Sequence, residues 1–171
     1  MADKRIAIAL LTLSAAGFVG ILGREGYTDV AVIPTKGDKP TVGFGMTQRE
    51  DGSPVQMGDR TDPVKAAQRT FAYVQQAESG IKRCVYVPLH QVEYDQMLDF
   101  SYQYGVGTLC RSSIVSFANA GEYAKSCDAY LLYRFAAKYD CSTLVGGQPN
   151  KRCWGVWERQ LNRHRKCMEV Q

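Results

Sequence analysis

Histidine is almost missing from this chain of 171 residues: His90 and His164 stand alone, far apart, and no two cysteines form a Cys-x-x-Cys pair. Closely spaced Cys and His ligands are what a zinc site needs, so these absences argue against one. The expected complement is no metal and no other cofactor. Internal repeats and low-complexity tracts are also lacking, which excludes a solenoid or a disordered linker protein. The net charge of +4 is modest and its basic residues are dispersed. The densest patch is Arg159, Arg163, Arg165 and Lys166, in the last helical stretch. No nucleic-acid recognition motif accompanies it, so it reads as a solvated helix face and no nucleic-acid partner is expected.

What is present begins with six cysteines, at positions 84, 110, 127, 141, 153 and 167, with none earlier in the chain. An even number at these separations points to disulfides and an oxidising compartment. The connectivity is open. The favoured pair is Cys141–Cys153, closing the loop through Gly146-Gly147-Gln148-Pro149-Asn150. A hydrophobic content of 45% in a chain of this length fits one domain with a real core.

Lys4 and Arg5 precede eighteen residues without a charge, Ile6 to Gly23. At about 1.5 Å per residue a helix of that length spans about 27 Å, just short of a bilayer core. Basic residues in front would hold the N-terminus in the cytoplasm and send the rest outward. Four readings compete: a signal peptide cleaved near Ser14-Ala15-Ala16, a permanent anchor, a reversible tether, and a buried core helix. Ala7, Ala9, Thr12, Ser14, Ala15, Ala16, Gly17 and Gly20 dilute the hydrophobicity below that of a permanent anchor.

Beyond this run, Val30–Ile33 reads as a strand, 34–40 as a turn region and Thr41–Met46 as the returning strand. Gly43 and Gly45 fall on one face, which predicts close approach of a backbone, from substrate or from a neighbouring element. A polar loop follows over 47–60. Thr61-Asp62-Pro63 is a helix start, and Val64, Ala67, Phe71, Val74 and Ile81 recur at helical spacing after it. A second helix carries Tyr94, Met97, Leu98, Ser101 and Tyr102 and ends at Gly105-Val106-Gly107. Further helices are expected from Ser112 or Ser113 to Gly121, from about Glu122 to Lys138, and from Trp154 to Cys167. A small β-hairpin lobe followed by a mainly helical lobe is an α+β fold.

The ordered set resembles phage-type lysozymes, the endolysins of glycoside hydrolase family 24. Gly20 to Gly45 is similar to their start, with Glu25 at the end of a helix and the Thr41-Val42-Gly43-Phe44-Gly45 arm following. Phe100 to Gly107 looks like the end of their central helix, although Gly105 stands where the family has asparagine. Ser112-Ser113-Ile114-Val115, closing at Asn119-Ala120-Gly121, resembles their next short helix. Gly155-Val156-Trp157-Glu158-Arg159 is similar to their closing Gly-Leu-x-x-Arg helix.

The resemblance implies a lysozyme-like fold and a monomeric muramidase. Its partner would be peptidoglycan, hydrolysed at the β-1,4 bond between N-acetylmuramic acid and N-acetylglucosamine. Glu25 would be the general acid, since its N-terminal side is apolar and general acids work best in such surroundings. The family's hairpin aspartate lies six residues before the threonine, which here falls on Thr35. Asp38, at the hairpin tip, is the carboxylate favoured for the second role, with Asp29 a weaker candidate. Thr41 matches the threonine that positions water. Tyr102, Gln103 and Tyr104 suit a sugar-binding cleft.

The resemblance also favours the reversible tether, because some endolysins carry a signal-anchor-release segment. The expected organisation is then an apolar segment over 1–23 and a catalytic domain over 24–171. The protein would be held first at the inner membrane and then released into the host periplasm. Two rivals remain at this stage. One is a lytic transglycosylase using Glu25 alone, and the other a membrane-tethered wall-binding protein without activity.

Overall fold

The structure is a computed structural model that describes residues 4–34 and 37–171. Thr35 and Lys36 lie outside the described residues. The chain divides into two compact units, one from Leu13 to Ser79 and the other from the segment up to Thr12 together with Gly80–Gln171.

In the first unit, α1 (Ala15–Glu25) starts at Ser14, whose side chain accepts the Gly17 N–H at 2.9 Å. It ends where Gly26 adopts φ +69°, a left-handed conformation that suits glycine. Strands β1 (Thr28–Val32) and β2 (Thr41–Gly43) pair antiparallel, Thr28 opposite Gly43 and Val32 opposite Thr41, with an irregularity between these two points. Residues 59–61 run along the other edge of β1. There Ala31 N–H donates to the Asp59 carbonyl at 2.8 Å and Thr61 N–H to the Asp29 carbonyl at 2.9 Å. Ala31, Val42 and Val55 form the small core of this lobe. Each valine there contributes on the order of 1.5–3 kcal/mol by leaving water.

The helix start at Thr61-Asp62-Pro63 is as the sequence predicts. Asp62 accepts the Lys65 N–H at 2.9 Å and opens α2 (Pro63–Ile81). The buried positions of α2 differ from the expected stripe. Ala66, Thr70, Val74, Ala77 and Ile81 are buried, whereas Val64 and Phe71 are exposed. Val74 and Ile81 of the expected stripe are in this buried face, and the small side chains beside them fit a tightly packed helix. Phe71 instead meets Phe18 of α1 edge to face at 5.6 Å.

The second unit is helical: α3 (Gln91–Tyr104), α4 (Val106–Cys110), α5 (Ser113–Asn119), α6 (Tyr123–Asp128) and α7 (Trp154–Met168). Residues Glu93 to Ser101 of α3 are all buried, so this is a central helix covered on every side. The long helix expected over 122–138 does not form. After α6 the chain makes one tight helical turn at Ala129–Leu132 and then two short hairpins. These are β3 (Phe135–Ala136) with β4 (Tyr139–Asp140), and β5 (Leu144–Val145) with β6 (Gln148–Pro149). In the first hairpin the Arg134 guanidinium reaches Asp140 at 3.0 Å. The tip residues Ala137 and Lys138, moreover, take positive φ, which a helix cannot accommodate.

All six cysteines are paired, Cys84–Cys110, Cys127–Cys167 and Cys141–Cys153, the last being the pair favoured from the sequence. The start of the apolar run belongs to this unit. Ile6 and Leu89 exchange backbone hydrogen bonds of 2.7 and 2.9 Å, Ile8–Leu10 form a single 3-10 turn, and Leu11 is buried. Arg5 forks onto Glu93 at 2.9 and 3.2 Å and lies 3.5 Å over the Tyr123 ring. The run is thus divided between this docked segment and α1. Among the described residues no helix is long and apolar enough to cross a membrane.

Candidate active site

Glu25 is the last residue of α1, partly exposed, and followed at once by the β1–β2 hairpin. The hairpin turns back sooner than the sequence predicts. Val42 and Met46 exchange backbone hydrogen bonds of 3.0 and 3.1 Å, so the chain folds over at Gly43-Phe44-Gly45 instead of continuing as strand to Met46. Both glycines have positive φ, +68° and +77°. Each answers the predicted close approach in a different way. A methyl group on Gly43 would lie 2.8 Å from the Ala66 Cβ of α2, and one on Gly45 only 3.1 Å from Glu25 Oε2. The first glycine seats the hairpin on its neighbouring helix, and the second admits the glutamate carboxylate against the loop backbone. The Gly-x-Gly spacing was the signal; which neighbour each glycine meets was not legible from it.

Tyr27 braces this arrangement, with its ring packed on Phe44 at 5.5 Å and its hydroxyl donating to the Thr61 carbonyl at 3.1 Å. Its pKa is raised, first by desolvation and then by the charges of Asp29 and Asp62, so it remains a neutral donor. Thr41 stands half-buried at the start of β2, opposite Val32. Asp38 is exposed in the connection between the strands, and the Thr35 assignment lies outside the described residues. Asp29 is exposed and pairs loosely with Arg60 at 3.8 Å.

The same lobe holds a cavity of about 360 Å³, lined by Val42, Arg49, Glu50, Asp51, Asp59, Arg60 and Arg69. None of the described residues nominated from sequence lines it. Arg49 grips Asp59 with two hydrogen bonds of 2.7 and 2.8 Å. That contact, followed by the Gln56 N–H, holds the Asp59 pKa down at about 2. Arg69 donates to the Gln48 carbonyl. Arg49, Asp59 and Arg69 thus brace the loop over 47–60, an arrangement invisible in the linear sequence.

In the helical unit, the three nominated sugar-binding residues have different surroundings. Tyr102 and Gln103 are half-buried, and Gln103 Oε1 is buried with no hydrogen-bonding partner among the described residues. Tyr104 is tied into a packed network. Its hydroxyl accepts from Gln160 Nε2 at 3.0 Å and donates to the Tyr133 carbonyl at 3.3 Å, and its ring lies 4.6 Å from Phe100. Its pKa is raised by burial, against the opposing pull of Arg163. Arg163 itself corrects the reading of the last helix as a solvated basic face. It is 2% exposed and bonds Asp99 Oδ2 through Nε at 2.6 Å.

A helical unit with a β-hairpin lobe, and a glutamate where the first helix meets the hairpin, define a lysozyme-like glycosidase. Residues 23–152 match the phage lysozyme family, and the chain belongs to it. It is a glycosidase-type hydrolase, a lysozyme that acts on peptidoglycan. Over 129 residues it is 28% identical to the endolysin of Salmonella phage P22, covering 75% of this chain and 88% of that protein. Its fold is similar to that of the endolysin from Escherichia coli O157:H7 phage FAHEc1. That match has a TM-score of 0.76 at 23% identity and covers 95% of this chain and 96% of the other. A mutant of P22 lysozyme follows at a TM-score of 0.73 and 24% identity, covering 93% of this chain and 99% of the other.

Proposed function

We propose that this lysozyme is an endolysin that hydrolyses the β-1,4 bond from N-acetylmuramic acid to N-acetylglucosamine in peptidoglycan, with Glu25 as the general acid. The observation that carries this reading is the seating of the Glu25 carboxylate at the end of a helix, against the Gly45 backbone of a tight loop. A proton donor held on a rigid element keeps its geometry through the reaction. Glu25 protonates the glycosidic oxygen as the bond to the leaving sugar breaks, and water completes the cleavage. Thr41 orients that water, and Asp38 or Thr35 supplies the second polar group. Tyr102, Gln103 and Tyr104 contribute to sugar binding.

Mass spectrometry of digested wall separates hydrolysis from the rival chemistry. Hydrolysis leaves reducing muramic acid ends, which we expect. Products carrying 1,6-anhydro rings would replace the proposal with a lytic transglycosylase, which works without an activated water.

The apolar run motivates a second part of this proposal, a reversible tether at the inner membrane followed by release into the periplasm. The tethered form holds Ile6 to Gly23 as one span, and the released form divides it between the Ile6–Leu89 pairing and α1. On fractionation, full-length protein is expected to move from membrane to soluble fraction after an uncoupler is added. A soluble product shortened at its N-terminus would point instead to signal-peptide cleavage.

A further inference from the structure

The stretch from Ala129 to Cys153 holds four cations, Arg134, Lys138, Lys151 and Arg152, and a single acid, Asp140. That acid is already engaged by Arg134 at 3.0 Å and by the Ser142 N–H and hydroxyl at 3.0 and 2.6 Å. The same stretch exposes Leu132, Phe135, Tyr139, Leu144 and Val145 at 46–69% of their surface. Large apolar side chains at this density on a short hairpin pair are costly to leave in water. The scaffold nevertheless prevents their collapse. Cys141 is disulfide-bonded to Cys153, and the Asn150 side-chain amide bonds the Cys141 and Thr143 carbonyls at 2.9 and 3.0 Å. Asn150 Oδ1 in turn accepts the Cys153 N–H at 3.0 Å.

We propose that these two hairpins are a docking element for an anionic lipid surface. Two features choose lipid over carbohydrate. Sugar recognition uses the open face of an aromatic ring, and one face of the Tyr139 ring is already taken by the Arg152 guanidinium, 3.4 Å from its centroid. The Phe135 ring has Arg134 at 5.3 Å. Next to the Gly146-Gly147 turn, the large apolar residues exposed are the aliphatic Leu144 and Val145, which have no stacking face but enter an acyl boundary readily. Lys138, Lys151 and Arg152 complement lipid phosphates, each strengthening attachment to an anionic leaflet. A rigid hairpin loses little conformational freedom on inserting.

Co-sedimentation of the full chain with vesicles tests this, using phosphatidylglycerol-rich vesicles against pure phosphatidylcholine. The double substitution Leu144→Ser with Val145→Ser is expected to lower partitioning onto anionic vesicles about tenfold or more, as loss of two inserted aliphatic side chains requires. Lys138→Glu should lower it further and remove most of its salt dependence. All three positions are exposed, so thermal midpoint and activity on purified wall should be unchanged in the variants. The N-terminal apolar run is intact in all of them, which isolates the hairpins. Unchanged vesicle binding in the double variant overturns the proposal. So does loss of affinity for purified peptidoglycan while vesicle binding persists, which would assign the hairpins to the wall.

Discussion

Glu25→Gln is expected to lower kcat on purified peptidoglycan by about 10²–10⁴-fold, the range over which a positioned proton donor acts. KM should change little, because the lost interaction belongs to the transition state and not to the bound substrate. The fold should not suffer. Glu25 closes α1, and a carboxylate at a helix C-terminus faces the negative end of the dipole. A neutral amide of the same shape removes that repulsion, so stability should hold or rise by up to about 1 kcal/mol. Activity falling while stability does not is the signature of a residue kept for chemistry. Turbidity loss of wall suspensions and a thermal melt of the same preparation measure both. A fall of less than tenfold would remove Glu25 from the acid role. Asp38→Asn and Thr41→Ala, run beside it, rank the hairpin residues against Glu25.

The second large effect is on stability. Arg163 forms a buried network: Nε to Asp99 Oδ2 at 2.6 Å, Nη2 to the Asp99 carbonyl at 3.2 Å and Nη1 to Gln160 Oε1 at 3.0 Å. Its guanidinium also lies 5.5 Å from the Phe100 ring centroid. Arg163→Ala strips the guanidinium from a carboxylate that is itself almost fully buried, which costs about 3–5 kcal/mol. Out of a total of about 5–15 kcal/mol, that is a large share. At about 2–4 °C per kcal/mol for a chain of this size, the melting temperature should fall by about 6–20 °C. Arg163→Lys should recover little, because an ammonium cannot reproduce three contacts from one planar fork. Replacing Asp99 and Arg163 together by leucine should recover most of the loss, since no buried charge is then left behind. A single Arg163→Ala change that costs under about 1 kcal/mol in urea denaturation would show the network to be ornamental.

Several features are set by local chemistry, and among them the Thr61-Asp62-Pro63 helix start and the Cys141–Cys153 pair were open to a reader of the sequence. Ser14 and Asp62 cap helices through their own side chains. Gly26 ends α1 because it reaches φ +69° without strain. The loop through Gly146-Gly147 brings Cys141 and Cys153 together across twelve positions. The placement of Glu25 between an apolar helix and a hairpin is local as well, and it was the start of the resemblance to phage lysozymes.

What failed was decided at a distance. Arg163 looks like one member of a basic face and is instead the most deeply buried cation among the described residues, because Asp99 on another helix waits for it. Gly43 and Gly45 announce two close approaches in the sequence, but only the folded chain shows Ala66 at one and the Glu25 carboxylate at the other. Caps, turns and short disulfide loops are fixed by neighbours in the chain, so the sequence determined them by itself. Whether a charge ends in water or in an ion pair depends on which helix lies opposite. That choice belonged to the tertiary structure, because the cost of desolvating a charge is met only by a partner brought from far along the chain.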